Sequence, residues 1–389
     1  MRKYTAADEE RIRVQRDVRE WTGAGLLGAA QGAALGAELR TDLRRTNVLV
    51  RAALALFTAL MMVAFVALVV ITSNLHDEHG MAVIFAIAAL GSFVTAEYVA
   101  GAFRFYRHGV EEAAAVLTVF FLCASVMLAM STGTAWKTSM MAGLTVGAAG
   151  GYVIYVRFGY IYAAVGAIIC GALIPFQTTA GEPVQRLVAA GALAGVFEVV
   201  RALHLRDGDD YPGDEYATLQ AAAWVGVYLL LNLHALDVFA GTRLAPKADT
   251  WFYWSTYVVT WLMPPIGLWL AIREKGRAFL GANVVIALAT LATNKPYLQQ
   301  PRETWDPMLL GLLLMVGAVV VRRWLASAPG GHRNGYTAAR ILASDRELIS
   351  RVGTASAAWQ QQRETPPPAA PPPEFGGGRS GGAGGGAGW

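Results

Sequence analysis

Residues 96–116 read AEYVAGAFRFYRHGVEEAAAV, which sets three glutamates, two arginines and a histidine between long apolar runs. Adjacent Glu111 and Glu112 match the start of the EExxxR pattern of intramembrane glutamate proteases, but Val116 stands where the arginine is required. No FxxxH or HxxxN partner follows. The better reading is a turn: Arg104, Arg107 and His108 close one helix and the two glutamates open the next, each sign complementing a helix dipole. Gly109 suits the left-handed position after the first helix.

Glu97 is different. It lies seven residues before Arg104, roughly 10 Å deeper at about 1.5 Å per helical residue. A carboxylate at that depth is costly and usually faces protein or a wet cavity. A second case is GVFEVVRALHLR, which sets Glu198 three residues before Arg201 on one helical face. Glu97 and Glu198 are therefore the candidates for an ion or proton path, with Arg104 and Arg201 expected to offset their burial. Structural ion pairing is the competing explanation. MPPIG puts Pro264 and Pro265 in mid-span, where lost backbone donors should break the helix, as at transporter sites. Asn232 and His234, two residues apart, read as hydrogen-bonding groups between helices, with Asp237 at the rim. His76 and His79 could chelate a metal only with a third ligand from elsewhere.

These residues need helices to position them. The chain has 389 residues, 55% hydrophobic and only 15% charged, and runs of about twenty apolar residues recur, enough to cross a hydrocarbon layer of roughly 30 Å. The expected fold is an all-α polytopic membrane protein. Ten spans are predicted at about 48–71, 81–103, 110–130, 138–156, 159–175, 184–203, 216–236, 251–272, 278–294 and 306–325. The fourth and fifth are short and glycine-rich and could instead form one re-entrant hairpin. In GLTVGAAGG, Gly143, Gly147 and Gly151 form a close-packing face.

With the N-terminus inside, 25 of the 32 lysines and arginines fall on the cytoplasmic side and six outside, with Arg51 at the start of span one. That bias predicts both termini cytoplasmic. Trp251, Phe252, Tyr253 and Trp254 then mark the outer interface. No cleavable signal is expected before span one, because the first 47 residues are polar and arginine-rich. The predicted divisions are a cytoplasmic helical segment at 1–47, a membrane domain at 48–325, a cytoplasmic helical segment at 326–364 and a disordered Pro/Gly-rich tail at 365–389. In the first of these, Ile12, Val14, Val18 and Trp21 stripe a charged helix.

Trp21, Gly25, Leu26 and Gln31, in REWTGAGLLGAAQGAALGAELRTDLRRTN, are the residues of a further likeness. This front end resembles predicted bacterial membrane proteins of the domain-of-unknown-function family 2157, in which a tryptophan, a Gly-Leu pair and a glutamine mark a helical hairpin before the first span. The resemblance implies a bacterial inner-membrane protein and lends no activity.

Cys123 and Cys170 lie in apolar segments without a CxxC pair, so no redox or zinc cofactor is expected. No Walker loop, dinucleotide fingerprint or nucleic-acid module is present. The expected partner is the lipid bilayer, with a homo-oligomer or another membrane protein left open and nucleic acid excluded. No nucleophile–base or metal set can be assembled, so an enzyme is not expected. The reading is a multi-pass membrane protein with a scaffold or sensory role; the alternative is an ion- or proton-coupled transporter using Glu97, Glu198, Arg201 and the Pro264–Pro265 break.

Overall fold

A computed structural model describes residues 2–73, 75, 77–131, 135–206, 212–235, 250–274, 276–300, 306–328, 332–333 and 336–337. Two short helices, α1 (Ala6–Gly23) and α2 (Ala29–Glu38), precede ten more: α3 (Val48–Thr72), α4 (Glu78–Ala102), α5 (Val110–Ser131), α6 (Trp136–Phe158), α7 (Ile161–Leu173), α8 (Glu182–Arg206), α9 (Pro212–Leu231), α10 (Trp251–Glu274), α11 (Arg277–Tyr297) and α12 (Asp306–Ala326). Seven of these, α3 to α6, α8, α10 and α11, are long and apolar enough to cross a membrane. Helix α7 is shorter and runs into a 3₁₀ turn at Ile174–Gln177. Helices α9 and α12 have 20 and 21 residues but lie outside that set. Among the described residues, seven of the ten predicted spans meet the length and composition needed to cross a membrane.

Local chemistry explains the boundaries. The Thr5 hydroxyl accepts from the Asp8 amide to cap α1, and Asn47 accepts from Val50 to cap α3. The α1–α2 hairpin turns on the four residues of the family likeness. The Trp21 carbonyl accepts from the Leu26 amide at 2.9 Å, Gly25 takes φ +76°, and Gln31 accepts from the Gly28 amide at 3.0 Å. Of the predicted stripe only Val18 is fully buried, and Trp21 is exposed.

Association among these helices rests on small residues, because helices facing lipid gain little from hydrophobic burial against each other. Ser92, Ala96 and Ala100 of α4 and Ala113 to Ala115 of α5 are buried. On α6, Gly143, Gly147 and Gly151 are all buried: a Cβ on Gly147 would lie 3.0 Å from Cys170 Sγ and 3.2 Å from Cys123 Sγ, and one on Gly151 would lie 2.8 Å from the Ala163 carbonyl. The opposite extreme is α3, which buries only Val66 and leaves a row of large apolar side chains outward.

Two expectations need correction here. Pro264 and Pro265 do not break α10, which runs unbroken for 24 residues. The carbonyl four residues before Pro264, that of Thr260, lies 3.2 Å from the Thr290 hydroxyl of α11, which replaces the missing amide donor. The aromatic cluster expected at an interface also divides: Trp251 and Trp254 are exposed, but Phe252 and Tyr253 are buried. In the stretch predicted to be helical after residue 326, His332–Arg333 pairs antiparallel with Tyr336–Thr337. Residues 329–331, 334–335 and 338–364 and the 365–389 tail lie outside the described residues.

Candidate functional site

Successive helices from α3 onward alternate in direction, so the starts of α3, α5, α7 and α9 meet the ends of α4, α6, α8 and α10 at one end of the bundle. The charged residues collect there, and the N-terminal segment, residues 2–5, is fastened into them. The Lys3 amide donates to the Arg157 carbonyl at 2.7 Å. Lys3 Nζ lies 2.8 Å from Glu97 Oε2, and Arg157 Nε lies 2.5 Å from Glu97 Oε1. Arg2 bridges two carboxylates, Glu9 of α1 at 3.0 Å and Glu215 of α9 at 2.6 Å, while the Tyr155 hydroxyl donates to Glu215 at 3.2 Å. The Tyr4 hydroxyl donates to the Phe105 carbonyl at 2.7 Å.

The turn that opened the sequence analysis sits in the same layer. The Arg44 amide donates to the Arg104 carbonyl at 2.9 Å and the Tyr106 amide donates to the Arg44 carbonyl at 3.1 Å, so the α2–α3 linker lies along the α4–α5 turn. Gly109, at φ +108°, lies against α3, where a Cβ would meet the Arg51 carbonyl and, at 3.0 Å, the Ala55 nitrogen. That approach brings Arg51 to Glu112, which it grips through both Nε and Nη2, and Tyr162 donates to the same carboxylate at 3.2 Å. Glu111 accepts from the His108 amide at 2.7 Å. Both glutamates are buried, 0% and 6% exposed. They open α5 after the turn, as expected, but they do so as buried groups.

Glu97 is partnered as a deep carboxylate requires, but by Lys3 and Arg157 rather than by Arg104, which instead pairs with Asp42. Glu198 does pair with Arg201, at 3.3 Å, yet its side chain is 64% exposed. The firmer partner of Arg201 is the buried Glu274 of α10, at 2.6 Å, which also accepts from Gln220 of α9 at 3.0 Å. Glu97 and Glu198 thus stand on separate ion networks with no shared partner among the described contacts. The residues that sequence reasoning passed over are Arg2, Lys3, Tyr4, Glu9, Arg157, Glu215 and Glu274. Their only signal was polarity at segment ends, which a solvated loop would show equally.

A second polar cluster occupies the opposite end, where α9 and α11 finish and α10 begins. Asn232 Nδ2 donates to Tyr228 Oη at 2.6 Å and to Thr293 Oγ1 at 2.9 Å. Thr290 Oγ1 lies 3.1 Å from Tyr228 Oη, and His234 Nε2 lies 3.1 Å from Tyr253 Oη. The Tyr253 hydroxyl donates to the Tyr297 carbonyl, and Tyr257 donates to Asn294 Oδ1, each at 2.8 Å. Asn232 and His234, expected as separate groups, therefore join one buried hydrogen-bonded network. Pro264 and Pro265 touch it only through the Thr260 carbonyl. Among the described residues no three metal-ligating side chains come together; His76 and Asp237 lie outside those residues.

Neither a family model, nor a curated protein, nor a solved structure matches the chain.

Proposed function

We propose that this is a multi-pass membrane protein of scaffold or sensory type, without catalysis, whose N-terminal helical hairpin is held against the membrane bundle as its regulated element. One observation carries the reading. Lys3 and Arg2 insert into the charged layer and complete carboxylates of α4 and α9, so the position of α1 and the packing of the bundle are coupled. Charged groups at helix ends that are satisfied by a detachable segment are the parts of a two-state contact. The excess of basic residues in the segments on this side of the bundle supports a cytoplasmic placement for it, with ten crossings and both termini inside. The likeness of residues 21–31 to a bacterial family supports an inner-membrane location.

Transport through Glu97, Glu198 and Arg201 is the competing function. It is disfavoured because Glu97 is already matched by Lys3 and Arg157 and Glu198 stands exposed beside Arg201 on a separate network, so the two do not line one path. Proteoliposome flux decides between them. Wild type should pass protons and small cations no faster than empty liposomes. Flux that wild type supports and that Glu97→Gln and Glu198→Gln both abolish would overturn the proposal.

A further inference from the structure

Beneath α1, at the end of the bundle that holds Lys3, lies a cavity of about 290 Å³. Six arginines line it: Arg13, Arg16 and Arg19 from α1, Arg45 from the linker, Arg51 from α3 and Arg107 from the α4–α5 turn. The two carboxylates on its wall, Glu9 and Glu215, are both engaged by Arg2, and Arg51 is engaged by Glu112. Arg19 and Arg45 spend donors on neutral oxygens: Arg19 Nε donates to the Gln15 carbonyl at 3.2 Å and Arg45 donates to Gln15 Oε1 at 2.5 Å. Burial and the neighbouring Arg19 push the Arg45 guanidinium below its usual range, as crowded cations should.

The cavity is not isolated. Val48 and Arg51 also line an apolar groove of about 420 Å³ between α3 and α5, floored by alanines including Ala52, Ala55 and Ala59. Beside it α3 exposes Val48 at 77% and Leu49 at 82%. A cationic chamber therefore adjoins an apolar groove on a lipid-facing helix, the two sharing Val48 and Arg51 as walls. An anion without tails would use the first and leave the second empty. We propose that this pair of cavities is a binding site for an anionic phospholipid, its phosphate among Arg19, Arg45 and their neighbours and one acyl chain along the α3–α5 groove. Arginine supplies the forked donors that suit phosphate oxygens, and basic clusters at a bilayer surface favour anionic headgroups. This assignment does not depend on the scaffold reading.

The test uses the full chain in a neutral detergent, following melting temperature with dioctanoyl phosphatidylglycerol, dioctanoyl phosphatidylcholine or inorganic pyrophosphate. Phosphatidylglycerol should raise it and phosphatidylcholine should not. Arg19→Gln/Arg45→Gln should weaken the apparent affinity for phosphatidylglycerol roughly tenfold, and Lys137→Gln, at the far end of α6, should leave it unchanged. Ala52→Trp should weaken the phosphatidylglycerol response without altering any response to pyrophosphate. The proposal is overturned if pyrophosphate matches phosphatidylglycerol, or if the double variant binds as wild type does. Should the double variant fail to fold, salt decides: a wild-type shift that is the same at about 0.05 M and about 0.5 M NaCl, where screening differs several-fold in length, overturns it.

Discussion

Lys3 and Arg157 hold opposite sides of one carboxylate, that of Glu97, and Lys3 also ties its own backbone amide to the Arg157 carbonyl. A residue three from the N-terminus is thus joined at two points to the end of α6. The side-chain half of this contact is partly exposed, so it should be worth on the order of 1 kcal/mol.

Lys3→Gln should therefore loosen the N-terminal segment without unfolding the bundle. Protease cleavage within Ala6–Gly23 should accelerate about fivefold, the equivalent of roughly 1 kcal/mol, and Lys3→Arg should restore most of the protection. Equal cleavage of wild type and Lys3→Gln would show that the backbone bond alone fastens the segment.

The glutamates should rank by burial and not by depth in the sequence of a span. Glu112→Gln leaves Arg51 partly buried without its charge partner and should cost about 3 kcal/mol. Glu198→Gln, on an exposed side chain, should stay within about 0.5 kcal/mol of wild type. Unfolding titrations of the two variants in mixed micelles would check this; a reversed order would contradict the packing described for the α4–α5 turn.

Helix α10 keeps its continuity through Thr290, which makes a compensating pair testable. Thr290→Val removes the donor nearest the Thr260 carbonyl and should destabilise by about 1–2 kcal/mol. Pro264→Ala restores an amide at the position that the Thr260 carbonyl needs. The double variant should recover a good part of the loss, which a double-mutant cycle in melting temperature would register. Strict additivity would mean that the Thr290 contact does not serve the proline site.

Docking of α1 should depend on pH through Glu9. Burial pushes its carboxyl up to about 7, against the opposing pull of Arg2, whose charge is shared with Glu215. Released from the fold, the same group titrates near its ordinary value of 4.5. Between those two values the docked form holds a proton that the undocked form has lost, so docking weakens as pH rises through the window and levels off above it. Amide exchange in Ala6–Gly23 should be slower near pH 5 than near pH 8 after correction for intrinsic rates. Glu9→Gln should flatten that dependence; a flat wild-type profile would place the ionised carboxylate in the docked state.

Much of this fold is legible in the sequence because a hydrocarbon layer allows few solutions: long apolar runs must satisfy their own backbone as helices. The runs fixed where α3 to α12 lie to within a few residues, and glycine spacing identified the packing face of α6. The residues of the α1–α2 hairpin were named through the family resemblance, and the local hydrogen bonds of Trp21 and Gln31 and the positive φ of Gly25 are what the structure adds. The Glu198–Arg201 pair was found because its partners are three positions apart. What the sequence could not decide was partnership across distance. Lys3 and Glu97 are 94 positions apart and Arg2 and Glu215 are 213 apart, and no local pattern links them. Burial of Glu111 and Glu112 followed from the approach of α3 over Gly109, and continuity at Pro264 followed from a hydroxyl on the next helix. Local hydrogen bonding and hydropathy are written in short windows of sequence, whereas the environment of an ion is made by whichever helix ends the packing brings together.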